Sequence, residues 1–514
     1  MRQQLSFILL LATLALAGCK DSPPSEDAAG SSSGAGSSSS GSSGGSSGGS
    51  SGSGSGSGSS SGSSSGGDSG ALGQSCFWLP IGFSAATLNL LLPEESATYW
   101  LGVFPIPPQG QVILRGDFPH ARYSSFNSYD LSLGPIDSLP DLEIAPEPGS
   151  SNPFLPGADR RSSQRRYSIY LRSGEVPEQP AANTLYSHLR LGGLSLPTGP
   201  VAIVIYRVYL ADEGQDRAGG SLLPEASFDA DGDGLAEIAG LDACAAVGGG
   251  LQDLVLEELI ASLPTVVPGL YPWLYSPLKW MRFFNFNNLL ADTLGPLGAP
   301  LANYDETGGL ASNGDIRYIY SIASQRQGDL VAFEADFPTT PTTYSGDPVM
   351  GSGQLRYWSL CSNDLYLQKV IDCVNDEAAV PAANVGGNNP QGRRKIILVS
   401  PPSLRPANAT PDCGVNWLAW GYNQDVALIY RHMLPAPDFA EAVQNIPAPD
   451  SACEAPVMQG YFPYGRVYSV AEFEQLGCPV DPNAIPDEAT QLAPTENCDD
   501  EFPPATGTIH PAPF

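Results

Sequence analysis

The phrase Gly110-Gln-Val-Ile-Leu-Arg-Gly-Asp-Phe-Pro119 returns, one residue longer, as Gly328-Asp-Leu-Val-Ala-Phe-Glu-Ala-Asp-Phe-Pro338. Ala121-Arg-Tyr-Ser-Ser-Phe-Asn-Ser-Tyr-Asp130 is matched by Leu355-Arg-Tyr-Trp-Ser-Leu-Cys-Ser-Asn-Asp364. Val201-Ala-Ile-Val-Ile-Tyr-Arg-Val-Tyr-Leu210 is matched by Val426-Ala-Leu-Ile-Tyr-Arg-His-Met-Leu434. The offsets are 218, 234 and 224 residues, from Gly110 to Gly328, Arg122 to Arg356 and Tyr206 to Tyr430. Three blocks in one order argue for two copies of a domain rather than a short-period solenoid. Each block is short, rich in β-branched and aromatic residues, and bounded by Gly, Pro, Asn or Asp, which predicts a strand. Along Arg122–Tyr129, odd and even positions would face opposite sides. Many short strands with Pro-rich turns predict a mainly β chain: two tandem jelly-roll-like β-sandwich domains with a short helical bridge.

Working outward, the sandwiches are expected at residues 73–247 and 301–475, with the bridge at 248–300. Leu251, Leu254, Val255, Glu258, Leu259 and Leu263 fit one helical face. Ser276-Pro277 has the form of a second helix start. Aromatics crowd residues 270–286: Tyr271, Trp273, Tyr275, Trp280, Phe283, Phe284 and Phe286. They are expected to pack across both sandwiches, with an apolar or stacking surface at Tyr271, Trp273, Tyr275, Trp280 and Phe283 as the alternative. The tail, residues 476–514, is acidic and proline-rich and reads as an extended segment held by disulfides.

The first 72 residues have another texture. A basic start and an apolar run from Leu5 to Ala17 end at Leu16-Ala17-Gly18-Cys19. The run is short for a membrane span and has the form of an export signal covering residues 1–18. The Gly18-Cys19 junction resembles the bacterial lipobox, which implies acylation of Cys19 and anchoring through its acyl chains. Lys20 rather than Asp follows, which by resemblance to the Gram-negative sorting rule implies the outer membrane. Gly30–Gly70 is Gly and Ser apart from Ala35 and Asp68, so residues 19–72 read as a flexible tether.

The chain has 54 acids against 24 bases, a net charge of −30 over 514 residues. Residues 1–72 hold four acids and two bases, so the remainder carries −28. That excludes a phosphate-tracking nucleic-acid binder and a basic patch for anionic lipid. Beyond the tether the only lysines are Lys279, Lys369 and Lys395; every other base is Arg, the better residue for internal bidentate contacts.

Eight cysteines follow Cys19: Cys76, Cys244, Cys361, Cys373, Cys413, Cys453, Cys478 and Cys498. An even number in an exported chain predicts disulfides. Sequence proximity favours Cys361–Cys373 and Cys478–Cys498, leaving Cys413–Cys453 and Cys76–Cys244 for the longer loops. No Cys-x-x-Cys occurs, and His120, His188, His432 and His510 lack metal spacing.

The sharpest local motif is Asp229-Ala-Asp-Gly-Asp-Gly-Leu-Ala-Glu237. Asp229, Asp231, Asp233, the Leu235 carbonyl and Glu237 offer oxygens of the kind calcium takes, and the motif resembles the first half of an EF-hand loop. It departs at the twelfth position, Gly240, where Asp242 is the nearest substitute. The ion would be structural. Arg122 and Arg356 are equivalent, as are Arg207 and Arg431, so a buried Arg–carboxylate pair is expected within each sandwich. The alternative is a cleft lined by these arginines with His120 and His432 as bases. Arg115-Gly116-Asp117 is read as a chance adhesion tripeptide.

Phe118-Pro119-His120-Ala121-Arg122-Tyr123, Tyr206-Arg207-Val208-Tyr209-Leu210 and Leu355-Arg356-Tyr357-Trp358-Ser359-Leu360 resemble a paired jelly-roll family of exported bacterial proteins that carries only domain-of-unknown-function labels. The resemblance covers about half of residues 95–440, as short motifs. It implies two β domains side by side and no particular reaction. Three readings stay open: an envelope lipoprotein binding a glycan or apolar small molecule, a hydrolase or lyase on a carbohydrate-like substrate, and a structural or adhesive surface protein.

Overall fold

A computed structural model describes residues 77–79, 82–87, 89–131, 133–188, 200–239, 272–276, 278–302, 304–447 and 453–485. All belong to one compact unit, Ala71–Phe514. The expected signal, Cys19, the tether, the helical face at Leu251–Leu263 and most of the acidic tail lie outside the described residues.

The chain is mainly β, as its short aromatic and β-branched runs require. The first nine strands are β1 (Ala97–Pro105), β2 (Gln111–Asp117), β3 (Ala121–Tyr129), β4 (Pro135–Pro140), β5 (Arg166–Ser173), β6 (Thr184–Ser187), β7 (Val201–Ala211), β8 (Glu225–Asp229) and β9 (Ile238–Ala239). They form two sheets, ordered β1-β7-β3-β4 and β6-β5-β2-β8-β9. Trp100, Phe104, Val112, Phe126, Ile169 and Tyr206 join these sheets in one core.

The remaining strands are β10 (Met281–Arg282), β11 (Ile316–Ser324), β12 (Leu330–Asp336), β13 (Leu355–Asp364), β14 (Lys369–Asn375), β15 (Arg394–Ser400), β16 (Val415–Ala419), β17 (Asp425–Pro435) and β18 (Tyr464–Tyr468). Their orders are β10-β11-β17-β13-β14 and β16-β15-β12-β18. Ile319, Phe333, Trp358, Ile397, Val399 and Tyr430 fill the second core.

The duplication extends to register. Asn127 pairs with Ser138 on β3–β4, and Cys361 with Cys373 on β13–β14. Both ladders shift register at the next residue, after Ser128 and after Ser362. The Ser128 hydroxyl donates to the Tyr186 carbonyl, and Ser362 to that of Ala419. Each sandwich also has a parallel edge pair, β5–β6 and β15–β16, which an all-antiparallel roll would lack.

The inner sheets, containing β3–β7 and β13–β17, face each other. Ala97, Tyr123, Tyr209 and Leu210 pack there against Ile316, Tyr357 and Met433. The same surface of each copy meets the other, the arrangement of a two-fold dimer built within one chain. All nine residues of β3 are buried, because one face lines its own core and the other meets the second sandwich.

Between the sandwiches the helix begins at Phe286, not at Ser276-Pro277. Asn285 caps α1 (Phe286–Leu294) by accepting from the Asn288 N–H. Upstream, β10 joins the edge of β11 instead of starting a helix. The expected extended tail also needs correction at its start. Cys478 is bonded to Cys413, and Val480 and Ile485 are buried against Leu330, Ile396 and Val415 on the outer face of the β12–β15 sheet. An apolar sheet face needs a cover, and this segment supplies it.

Candidate functional site

The charged side chains expected to line a cleft converge on the seam between the sandwiches. The Arg122 side chain is fully buried; its guanidinium pairs with Asp376, with Glu377 at 3.1 Å, and donates to the Thr343 hydroxyl at 2.5 Å. Arg356 reaches the opposite way, with Asp141 at 3.5 Å and the Phe154 carbonyl at 3.1 Å. Asp141 and Asp376 each follow the last residue of the equivalent strands β4 and β14. The expected Arg–carboxylate pairs are therefore present, but each spans the seam rather than lying within one sandwich. Burial pushes the Asp141 carboxyl up to about 7, against the pull of Arg356 and of the Ser124 N–H.

Arg207 and Arg431 form a second reciprocal set with carbonyls as acceptors. Arg207 donates to the Ala311 carbonyl at 2.6 Å and Arg431 to that of Leu92 at 3.0 Å. Both carbonyls sit in left-handed turns, Leu91-Leu92 (φ 63° and 56°) and Leu310-Ala311 (φ 53° and 55°). Left-handed geometry costs such residues roughly 1–2 kcal/mol each. A buried guanidinium on the exposed carbonyl helps to hold it. Arg207 also lies over the rings of Tyr99 and Tyr129, at 5.6 and 5.4 Å.

Two tyrosines finish the pattern. The Tyr123 hydroxyl hydrogen-bonds Asp315 and Asn313 of the second sandwich. At the other end the Tyr357 hydroxyl is buried near Glu94 and Ser96 of the first, without a hydrogen-bond partner among the described residues. None of Asp141, Asp315, Asp376 or Glu94 was singled out from the sequence. An alignment of the two copies extended past β4 and β14 carries the one available signal, an Asp at the same place in both.

His120 and His432 each lie in surroundings that disfavour a charged ring. His120 lies against Arg165, and burial together with Arg165 and Arg160 lowers it to about 4. His432 is wholly buried, accepts the Val443 N–H at 3.2 Å, and burial lowers it to about 3. Both are neutral at pH 7.

The aromatic set is divided. Trp280 packs edge-on against Phe333 at 5.3 Å, and Phe283 against Tyr318 at 6.0 Å. Tyr275 has the Lys279 ammonium over its ring at 5.2 Å, while Trp273 is half exposed. They are thus packing residues more than one stacking platform; Tyr271 lies outside the described residues.

In the acidic loop, Asp229, Asp231, Asp233 and Glu237 bring carboxylate oxygens within 4.8 Å of one another. Asp229 accepts from Gln111 and from the N–H groups of Gly232 and Gly234. Burial alone would raise it, but these donors hold it below the usual carboxylate range. Gly232 (φ 79°) and Gly234 (φ 92°) make the turn possible. Leu235 is exposed, and Asp242 lies outside the described residues.

Of the expected disulfides, Cys361–Cys373 is present. Cys413 pairs with Cys478, which displaces both Cys413–Cys453 and Cys478–Cys498. Cys453 is itself disulfide-bonded. Cys76, Cys244 and Cys498 lie outside the described residues. Folding of the 478–485 segment onto the outer sheet, not sequence proximity, selects the partner of Cys478.

The fold defines a chain of paired, duplicated β-sandwiches. No family model and no curated protein matches it. Among solved structures it is similar to an uncharacterized protein from Burkholderia cenocepacia, at 15% identity and TM-score 0.37, covering 70% of this chain and 79% of that one. It is also similar to the VPA0106 protein from Vibrio parahaemolyticus, at 9% identity and TM-score 0.32, covering 72% and 88%.

Two outcomes follow from this geometry. Arg122→Ala leaves Asp376 buried without its cation and should lower unfolding free energy by about 3–5 kcal/mol, read from urea titration. An unchanged midpoint would remove the seam pair as a stabilising element. For His432 the folded state resists protonation down to about 3 while the unfolded chain takes a proton below about 6.5. Stability present above pH 6.5 is therefore lost as pH falls toward 3, by about 2 kcal/mol near pH 5. His432→Asn should flatten the melting temperature against pH between 6.5 and 4.5.

Proposed function

We propose that this chain is a lipid-anchored envelope protein whose joined sandwiches form one rigid body that presents a ligand- or glycan-binding surface. The observation that carries the reading is the seam. Arg122, Arg356, Arg207 and Arg431 are buried and committed to partners across it, so binding falls to exposed loops. The burial and pairing of the arginines support the binding reading over the hydrolase or lyase alternative.

Tyr422, on the turn between β16 and β17, is fully exposed, and its neighbour Asn423 donates to Asp364. An aromatic face beside an amide and a carboxylate suits stacking on a sugar. Attachment comes from acyl chains on Cys19. Among the described residues no helix is long and apolar enough to cross a membrane. The family resemblance to exported paired jelly-roll proteins agrees with this placement. A structural calcium ion at Asp229, Asp231, Asp233 and Glu237, with the Leu235 carbonyl, completes the proposal; the convergence of four carboxylates supports it.

Cys19→Ser is expected to move the protein from the membrane pellet to the soluble fraction; retention in the pellet would end the anchor assignment. In a thermal-shift screen, calcium should raise the melting temperature and EDTA reverse it. The same screen with soluble glycans and with fatty acids should yield a stabilising ligand class. A melting temperature indifferent to all of them would leave a purely structural role.

A further inference from the structure

The two sandwiches bury equivalent surfaces, so positions that break the equivalence stand out. Cys361 and Cys373 face each other on β13 and β14 and are disulfide-bonded. The matching residues of the first sandwich are Asn127 and Ser138, where the same strands pair without a covalent bond. Three residues before β1 stands Glu94; three residues before the equivalent β11 stands the neutral Asn313. Arg207 touches the Tyr129 hydroxyl, but its counterpart Arg431 points Nη1 at Cys361 Sγ, 3.0 Å away. One end of the seam thus has amide and hydroxyl groups. The other has two sulfurs, a carboxyl and a guanidinium, with a Glu94 carboxylate oxygen and both sulfurs within 4.8 Å of one another.

We propose that Cys361–Cys373 is an exchange-active disulfide, reduced by a small neutral or cationic thiol through attack on Cys373, with Arg431 and Glu94 receiving the departing Cys361 sulfur. Cys373 is partly exposed and Cys361 wholly buried, so an outside thiolate reaches Cys373 Sγ. A new S–S bond forms there, the Cys361–Cys373 bond breaks, and its electron pair leaves on Cys361. The Arg431 guanidinium stabilises that thiolate, and the Glu94 proton passes to it. A second thiolate attacks the mixed disulfide and releases Cys373. Two thiols become one disulfide, and their two electrons reduce the protein.

Glu94 is suited to the proton transfer. Burial pushes its carboxyl up to about 7, against Arg431, the Tyr357 hydroxyl and the Ser96 N–H, with Glu95 adding to the rise. The Tyr99 hydroxyl faces the Glu94 backbone N–H. Substrate charge is set at the mouth. The Cys373 N–H donates to both Glu95, at 3.1 Å, and Asp372, at 3.0 Å. Two carboxylates beside the attacked sulfur oppose an anionic thiol such as glutathione.

The test uses the full chain, native, with cysteamine or glutathione at equal thiolate concentration, alkylation, and mass spectrometry of the cysteine peptides. Cys361–Cys373 should open at least tenfold faster than Cys413–Cys478, and faster with cysteamine than with glutathione. Exposure alone favours the reverse order, since Cys478 is exposed and Cys373 only partly so. With cystamine, Cys361→Ser should form a mixed disulfide at Cys373, while Cys361 in Cys373→Ser stays unreacted. Corrected for thiolate fraction, the wild-type rate should fall about tenfold from pH 6 to 8 and be flat in Glu94→Gln. Opening of Cys413–Cys478 as fast as Cys361–Cys373, or an unchanged pH profile in Glu94→Gln, would overturn the proposal.

Discussion

The structure depends on two buried ion pairs that cross in opposite directions, Arg122 to Asp376 and Arg356 to Asp141. Taking such charges out of water costs several kcal/mol per ion, so attraction alone is a poor reason for them. Their neighbours offset part of that cost: the Thr343 hydroxyl and the Phe154 carbonyl accept from the two arginines, and the Ser124 N–H donates to Asp141. What the pairs supply is register. A rotation or slide of one sandwich on the other would strand four charges in an apolar seam, whereas sliding Tyr209 past Met433 would lose only contact area.

That register explains the rest of the seam. Arg207 and Arg431 can reach the carbonyls of Ala311 and Leu92 only if the left-handed turns before β11 and β1 lie over the opposite sheet. Tyr123 and Tyr357 then lie beside acids or amides of the other copy. An interface of this kind fixes the body, and Tyr422 and the Asp231, Asp233 and Glu237 side chains lie exposed outside it. The two ends of the seam differ: one carries Asn127, Ser138 and Asn313, and the other Cys361, Cys373 and Glu94.

Much of the fold was legible in short phrases. Val201–Leu210 and Val426–Leu434 are apolar runs, each broken by one arginine (and the second also by His432), because their strands are central and covered on both faces. Arg122 and Arg356 were legible as paired charges because an unpaired arginine inside a strand is untenable. Their partners were not, because Asp141 and Asp376 lie at strand ends where acids are ordinary. Ser125 and Asn127 of β3 are polar yet fully buried, and Asn127 accepts the Gly314 N–H of the other sandwich. Ser276-Pro277 suggests a helix, yet the unpaired edge of β11 offers backbone hydrogen bonds nearby, and β10 takes them.

By itself the sequence determined local matters: strand character, the duplication, and the alternating spacing of acids in the 229–237 loop. These follow from residue type and spacing along a chain. Tertiary structure alone decided which charge meets which, that Cys413 bonds Cys478, that the rings of His120 and His432 are held uncharged, and that Glu94 comes beside the Cys361 sulfur. Each of these depends on groups far apart in sequence whose energies change only when packing removes water from around them.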